Sequence, residues 1–376
     1  MSTPRITVFP LGNADTSRLD FRDGRKMLVD YADMRNGDDR ADKRIELPAT
    51  LRRDLRASSR DYYDIVCFTH LDYDHVHGSS EFFEFDHAAK YQGGGRIKIK
   101  ELWVPAGAIT EVGCEDCARV IREEAKYRLK RGYGIRVFSR PAALKAWLEK
   151  NGLTLESRMH LITDAGQLVP GFSKWGLEGV EFFIHSPFGF RRNEREVEDR
   201  NQDSVVFQAT FREGGRDTRA LFTADMTWEG LTDIVNITRL HGNDERLHWD
   251  IMKIPHHSSY LSLSATKGEE QTTPVEQVRW LHEDAGQPRS IMVSTSWPIP
   301  VRGTAEDKDP QPPHREAANY YKGVQGDRDG DFEVTMERTK AKPAPTEIDI
   351  TDRGAVLRSP LSTPAVAISS TPVRAG

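Results

Sequence analysis

The sequence predicts a layered α/β domain, and three observations carry that prediction. Short apolar runs of strand length recur from "RITVFPLG" (5–12) to "SIMVSTS" (290–296). Several of them close on ionisable residues, and two stretches with helical spacing interrupt them. At 376 residues, with 37% hydrophobic and 30% charged side chains, the chain can build two average domains or one large layered domain with insertions.

The elements follow in order. "RITVFPLG" and "KMLVDYA" (26–32) read as strands separated by the polar "NADTSRLDFRDGR". A charged stretch, 34–60, reads as helix or loop. "DIVCFTH" (64–70) is a compact apolar strand that runs into "LDYDHVHG". "KIKELWVPAG" (98–107) is the next strand. Residues 112–132 then read as a helix, with Val120, Ile121, Ala125 and Leu129 near helical spacing. Residues 140–152 form a second helix, with Pro141 near its start and Gly152 as its stop. Later strands are "VEFFIHSPF" (180–188), "SVVFQATF" (204–211), "RALFTAD" (219–225), "WDIMKIPHHS" (249–258) and "SIMVSTS". The predicted organisation is one domain over 1–337 with a helical insertion at about 108–170, then 338–376 as a hairpin ("TEIDITDRGAVLR") and a flexible tail rich in Pro, Ser and Thr.

Bulk composition excludes several classes. A net charge of -5 argues against a chain that coats nucleic acid over its whole face, while leaving room for a local basic patch. Three cysteines (Cys67, Cys114, Cys117) are too few for a disulfide framework, which favours a reducing compartment. No signal-peptide pattern opens the sequence, and no apolar run approaches the ~20 residues of a spanning helix, so the expectation is a cytoplasmic protein without membrane contact.

The chemistry concentrates at strand ends. His70, Asp72, Asp74 and His75 form H-x-D-x-D-H, a spacing that lets His70 and Asp72 face one metal ion and Asp74 and His75 another. Unpaired, so many ionisable groups in one turn would repel and resist burial. Three later features reinforce a metal site: Asp225 closing "LFTAD", the pair His256 and His257 in "MKIPHHSS", and His314 in "QPPHREAANYY" at the mouth of a helix. Singly each is bland, because a strand-end Asp is usually a cap and a lone His is usually a surface or satisfied core group.

On these residues the sequence resembles the metallo-β-lactamase-fold hydrolases, and more narrowly the branch typified by the hydrolase domain of the ComEC-type DNA-uptake channel. The turn with Asp72 in place of a second histidine, "NQDSVVF" (201–207), "LFTAD" and the lysine-led "KIPHHSS" (253–259) carry the likeness; "PLGNADTS" and "LVDYA" match more weakly. The resemblance spans roughly residues 5 to 320. It implies a four-layer αβ/βα sandwich with a dinuclear site at one edge of two sheets. Within it, His70 and Asp72 hold one ion, Asp74, His75 and His257 hold the other, and Asp225 bridges. His256 is the second choice for the terminal ligand and otherwise, with His314, a contact to the reacting group; His77 falls outside the pattern. Asn201, Asp203 and Ser204 stand where many relatives have another histidine, which would leave the first ion short of nitrogen donors; Asn201, Ser204 and Lys253 are candidates for substrate contact. Two departures stand out: Ser258 and Ala224 occupy positions where the family usually has glycine, so the backbone near Ser258 is open to a different turn.

Three carboxylates with about three imidazoles make a harder, more anionic set than a histidine-rich zinc site, so Zn2+ from the resemblance competes with Mn2+. Two such ions about 3.5–4 Å apart would hold a hydroxide nucleophile and clamp an anionic oxygen. That suits a phosphodiester in nucleic acid or a nucleotide-derived molecule, and also permits opening of a lactone or other cyclic ester. A regulatory member without turnover is the alternative of a different class, disfavoured by the intact ligand set. Residues 122–140 hold seven Lys or Arg against two Glu with aromatic residues interleaved, so Arg128, Lys130 and Arg131 read either as a phosphate-backbone track or as a solvated helical face. "CEDC" (114–117) lacks a second pair for a tetrahedral zinc site and reads as a helix start, and "GDRDGDFE" (326–333) reads as a turn.

Overall fold

In the computed structural model, which describes residues 2–188, 203–339 and 343–359, the chain builds two sheets flanked by helices. The strands are β1 Arg5–Val8, β2 Ser17–Asp20, β3 Lys26–Val29, β4 Tyr62–Cys67, β5 Lys98–Pro105, β6 Ile135–Phe138, β7 Ile162–Thr163, β8 Val180–Ser186, β9 Val206–Glu213, β10 Arg216–Phe222, β11 Trp249–Lys253, β12 Gly286–Ser294, β13 Asp331–Val334, β14 Thr346–Thr351 and β15 Gly354–Leu357. The first sheet runs β15-β14-β1-β2-β3-β4-β5-β6-β7, parallel from β3 onward, and the second runs β13-β12-β11-β10-β9-β8, parallel from β10 to β13. The helices are α1 Leu47–Ala57, α2 Tyr73–Val76, α3 Ser79–Phe82, α4 Gly107–Thr110, α5 Asp116–Arg131, α6 Ala142–Lys150, α7 Trp228–Leu240, α8 Glu276–Glu283 and α9 Arg315–Gly326.

Three apolar layers define the architecture. Between the sheets lie Leu19, Met27, Ile65 and Trp103 from the first and Phe182, Phe207, Ile251 and Val293 from the second. The outer face of the first sheet packs on α1, α5 and α6 through residues such as Leu51, Ile121 and Leu144. The outer face of the second packs on α7, α8 and α9 through Ile234, Leu281 and Tyr321. The result is a four-layer α/β/β/α sandwich, in which strands such as β3 and β8 are buried along their whole length because both sides are covered.

Most predicted elements recur with trimmed ends, and four strands are added. The polar linker 13–25 contains β2, whose Ser17–Asp20 gives too few apolar residues to announce a strand. β6, β7 and β13 are likewise too short for a periodic signal. The 108–170 segment carries α4, α5 and α6 and also feeds β6 and β7 into the first sheet. β14 and β15 form the expected hairpin, and β14 pairs with β1, so Ile348 and Ile350 lie in the layer between the sheets. Residues 360–376 lie outside the described residues.

This topology decides where chemistry can sit. Parallel strands β3, β4 and β5 of one sheet and β10, β11 and β12 of the other point their carboxyl ends toward one edge, where irregular backbone carries the ionisable side chains. In open α/β sheets that edge is where ligands bind.

Candidate metal centre

Each side chain of the centre follows a strand end. Asp30 follows β3, His70 follows β4, and Asp74 and His75 lie in the single turn of α2. Asp225 follows β10, and Lys253 and His257 end and follow β11. Asp15 comes from the loop between β1 and β2, tied down by its amide donating to the Asp74 carbonyl at 3.0 Å. Asp15, His75, Asp225 and His257 are all buried, and one possible ligand atom from each lies within 4.8 Å of the others.

The geometry centres on Asp225. His75 Nε2 lies 3.3 Å from its Oδ1, and His257 Nε2 lies 3.4 Å from its Oδ2 and 3.0 Å from Asp74 Oδ2. His75 Nε2 is also 3.5 Å from Asp15 Oδ2. His70 completes the row, its ring 3.9 Å from that of His75 and its Nε2 3.5 Å from Asp72 Oδ2.

The other ring nitrogens explain why every Nε2 faces this space. His257 Nδ1 donates to the Thr295 carbonyl at 2.8 Å, and His75 Nδ1 donates to Asp30 Oδ2 at 2.9 Å. Thr69 gives its hydroxyl proton to Asp30 Oδ2 at 2.8 Å, which leaves its oxygen to accept from His70 Nδ1 at 3.0 Å. A histidine whose second nitrogen is anchored on a carboxylate or carbonyl is fixed in tautomer and orientation for a metal. His70 Nε2, His75 Nε2, Asp15 Oδ1 and Asp225 Oδ1 are buried without a well-formed hydrogen bond, which a divalent ion would satisfy. The residues therefore fit the group that the sequence implies.

Electrostatics agree. Burial pushes the His257 imidazolium toward neutrality, yet Asp225 and Asp74 reverse this and hold its pKa near 10. His75 is likewise raised well above the usual histidine range by Asp225 and Asp30, against burial. Burial would raise Asp74 and Asp225, but His257 and His75 hold both below the usual carboxylate range. His70 goes the other way, lowered by burial and then by His75. Without metal the carboxylates keep protons on His75 and His257, so ion binding must release protons.

Backbone strain gathers here too. Of the ten non-glycine residues with positive φ among those described, five are in the strand-end segments that carry the centre: Asp30 (57°), Ala224 (48°), His256 (49°), His257 (54°) and Ser258 (65°). Ala224 and Ser258 adopt the left-handed conformation that glycine favours although neither is glycine. Such residues cost about 1–3 kcal/mol each and cluster where function requires them. At Gly12 an added Cβ would stand 2.7 Å from the Trp297 ring, so the loop leading to Asp15 needs glycine.

The other predicted residues fall in several places. His256 is half-buried outside the four-residue cluster, with Nδ1 unpaired. His314 caps α9; its amide donates to the Ser258 carbonyl at 3.1 Å, and its Nδ1 accepts from the Tyr260 amide at 3.3 Å, so Nε2 carries the proton. Burial, then the Lys267 charge, lowers the His314 pKa against the pull of the Pro310 carbonyl. His77 lies outside the cluster, its ring against Tyr73. Ser204 is buried beside Val205, whose amide donates to the Thr69 carbonyl at 2.9 Å, and Asn201 lies outside the described residues.

Two expectations need correction. Lys253 is not presented to substrate: it is 6% exposed, and its ammonium is bonded to Asp15 and to the Ala224 carbonyl. Arg128 is not a phosphate contact: it is buried, with its guanidinium on Glu124 (2.5 Å) and on the carbonyls of Ile99 (3.0 Å) and Gly134 (2.9 Å). Those carbonyls lie near the start of β5 and just before β6, whereas the centre lies by the carboxyl end of β5, where the Phe68 amide donates to Trp103. Strand rise puts roughly 15–20 Å between the two edges. Lys130 and Arg131 are exposed at the far edge, with Arg131 over the Tyr127 and Tyr133 rings.

Sequence reasoning missed Asp15 and Asp30. Both lie in the weakly matching segments "PLGNADTS" and "LVDYA". Asp30 closes an apolar strand as Asp225 does, and the same rule applied to β3 would have found it.

No family model and no curated protein matches the chain. Solved structures give slight likenesses. A diphosphatase from the PhnP family aligns with TM-score 0.31 and 11% identity over 78% of this chain and 87% of that one. MEM-A1, a subclass B3 metallo-β-lactamase isolated from a soil metagenome library, aligns with TM-score 0.32 and 11% identity over 67% and 78%. The metallo-β-lactamase SMB-1, bound to 2-mercaptoethanesulfonate, aligns with TM-score 0.29 and 12% identity over 67% and 81%. Likenesses this slight carry no inference about substrate, and the chemistry rests on the side chains themselves.

Proposed function

We propose that the chain is a dinuclear metal-dependent hydrolase that cleaves a phosphodiester, in nucleic acid or in a nucleotide-derived molecule. The observation that carries the reading is the buried set Asp15, His75, Asp225 and His257, with His70, Asp72 and Asp74 beside it, at the shared carboxyl edge of two sheets. The resemblance of the H-x-D-x-D-H turn and of "KIPHHSS" to the ComEC-type branch adds to it.

With His75 facing Asp225 Oδ1 and Asp15, His70, Asp72 and His75 would hold one ion, Asp74 and His257 the other, and Asp225 would serve both, with zinc or manganese as the metal. Bound divalent ions supply charge that activates water for attack and neutralises an anionic oxygen of the substrate. The protein's own part is orientation. Asp30, Thr69 and the Thr295 carbonyl fix the three imidazoles before any ligand arrives. His314 is kept toward its neutral form by burial with Nε2–H free to donate, so it is suited to give a hydrogen bond to the oxyanion that develops on the leaving oxygen. A positioned donor of this kind contributes typically about 10²–10³-fold.

The deciding experiment is a substrate panel on chelator-treated, Zn2+- or Mn2+-reconstituted protein: bis-p-nitrophenyl phosphate, DNA, RNA, cyclic nucleotides and lactones. Metal-dependent turnover of diesters is expected. Metal binding with turnover of lactones alone would replace the substrate class, and failure to bind metal would remove the centre.

A further inference from the structure

The centre contains a cation of its own. Lys253, the last residue of β11, sends its ammonium back into the cluster, where it bonds Asp15 Oδ2, donates to the Ala224 carbonyl at 3.4 Å and lies 3.8 Å from Asp225 Oδ1. Its 6% exposure excludes a solvated surface lysine. The two oxygens of Asp225 therefore face unlike surroundings. Oδ1 looks toward His75, Asp15 and the ammonium, and Oδ2 looks toward His257 and Asp74, with no lysine paired to Oδ2 among the described residues.

Resting on the metal-centre reading, we infer that Lys253 is a resident counter-cation that makes the two ion positions unequal, one tight and one weak. An ion drawing on Asp225 Oδ1 and Asp15 meets a fixed positive charge and carboxylates already shared with it. An ion drawing on Oδ2, Asp74 and His257 does not. Buried charges a few ångströms apart interact strongly even at an effective dielectric of ~20, so the difference is expected to exceed tenfold in affinity. Lys253 acts through Asp15 and Asp225 and is thus a positioning residue. Its consequence is an enzyme whose second ion, and hence activity, follows the free metal concentration while the first stays bound.

The test is calorimetric titration of metal-free full-length protein with Zn2+ and separately with Mn2+. Wild type should bind one ion at least about tenfold more tightly than the other. Lys253→Gln keeps a donor for the Ala224 carbonyl but removes the charge; it should tighten the weaker ion by about tenfold or more and leave the stronger within about threefold. Lys253→Arg, which keeps the charge, should restore the wild-type separation. A merely structural ion pair would change the melting temperature in both variants and move neither ratio. Equal affinities in wild type, or a weaker ion unmoved or lost in a folded Lys253→Gln, would overturn the inference while leaving the centre standing. If the glutamine variant melts below the titration temperature, Lys253→Met read in the same way decides. A wild type that binds neither ion would overturn the metal-centre reading itself.

Discussion

Replacing Arg128 with methionine separates two accounts of the basic helix α5. If Arg128 tracks a phosphate backbone, its loss weakens polynucleotide binding and barely touches stability. The structure gives the opposite expectation. Methionine keeps much of the stem's packing but deletes the contacts to Glu124 and to the carbonyls of Ile99, Lys100 and Gly134. Glu124 is fully buried and keeps only the amide and ring nitrogen of His87, at 2.9 and 3.0 Å. Breaking one partner of a buried pair leaves an uncompensated charge, at a cost of about 3–5 kcal/mol. For a domain of this size that corresponds to a fall in melting temperature of roughly 5–15 °C. The assay is a thermal and urea melt of Arg128→Met beside turnover of a small chromogenic diester at 20 °C. Stability should fall while kcat of the folded fraction stays within about twofold, and adding Glu124→Gln should recover part of the loss. A variant that melts with wild type and loses polynucleotide binding would refute this and return Arg128 to the surface role.

Asp225→Asn should retain the fold and lose at least one equivalent of metal by elemental analysis, because the amide gives up the charge that serves both ions; full retention removes Asp225 from the bridging role. His257→Ala should lose metal and activity together, whereas His314→Ala should keep metal and lower kcat by about 10²-fold, less for a substrate whose leaving group is already a stable anion; the reverse pattern exchanges their roles. Stability should fall on acidification below pH 6.5. Burial lowers the pKa of both His185 and His282 to about 4, so each favours folding above the unfolded value near 6.5 and loses that contribution as pH falls toward 4. The effect is roughly 3 kcal/mol per histidine, seen as a lower urea midpoint at pH 5 than at pH 7. His185→Gln with an unchanged pH profile would count against it.

The legible part of the sequence was the part with long-period signal. β4, β5, β8, β9 and β11 are apolar and bounded by polar turns, and α5 and α6 repeat at helical spacing, so their existence and type followed from pattern. β2, β6 and β7 are of four residues or fewer, and pairing with neighbours distant in sequence makes them strands. The ligands crowded into one turn were visible because His70 to His75 are local. Asp15 reaches the centre only because the 9–16 loop folds onto α2, a contact with no sequence spacing to betray it. Arg128 failed for a related reason: a charge on a helix looks the same in sequence whether its fork meets solvent or three carbonyls.

The consecutive left-handed residues His256, His257 and Ser258 tie the fold's energetics to the site. Three such conformations cost on the order of several kcal/mol together, and no glycine relieves them. They persist because the surroundings over-determine the turn. The His256 amide donates to the Ala224 carbonyl at 3.3 Å, the Ser258 carbonyl accepts from the His314 amide, and the Ser258 hydroxyl meets Ser294 at 2.8 Å, which meets Ser296 at 2.9 Å. Those bonds come from the loop after β10, the cap of α9 and the end of β12, so one strained turn is gripped from three places on the second sheet's side of the sandwich. The geometric return is at His257: with the chain turned this way its Nδ1 reaches Thr295 and its Nε2 reaches Asp74 of the opposite sheet's edge. Strain in the turn, burial of the imidazole and the crossing between sheets are one arrangement, and a relaxed turn would keep the histidine but lose the partner it is aimed at.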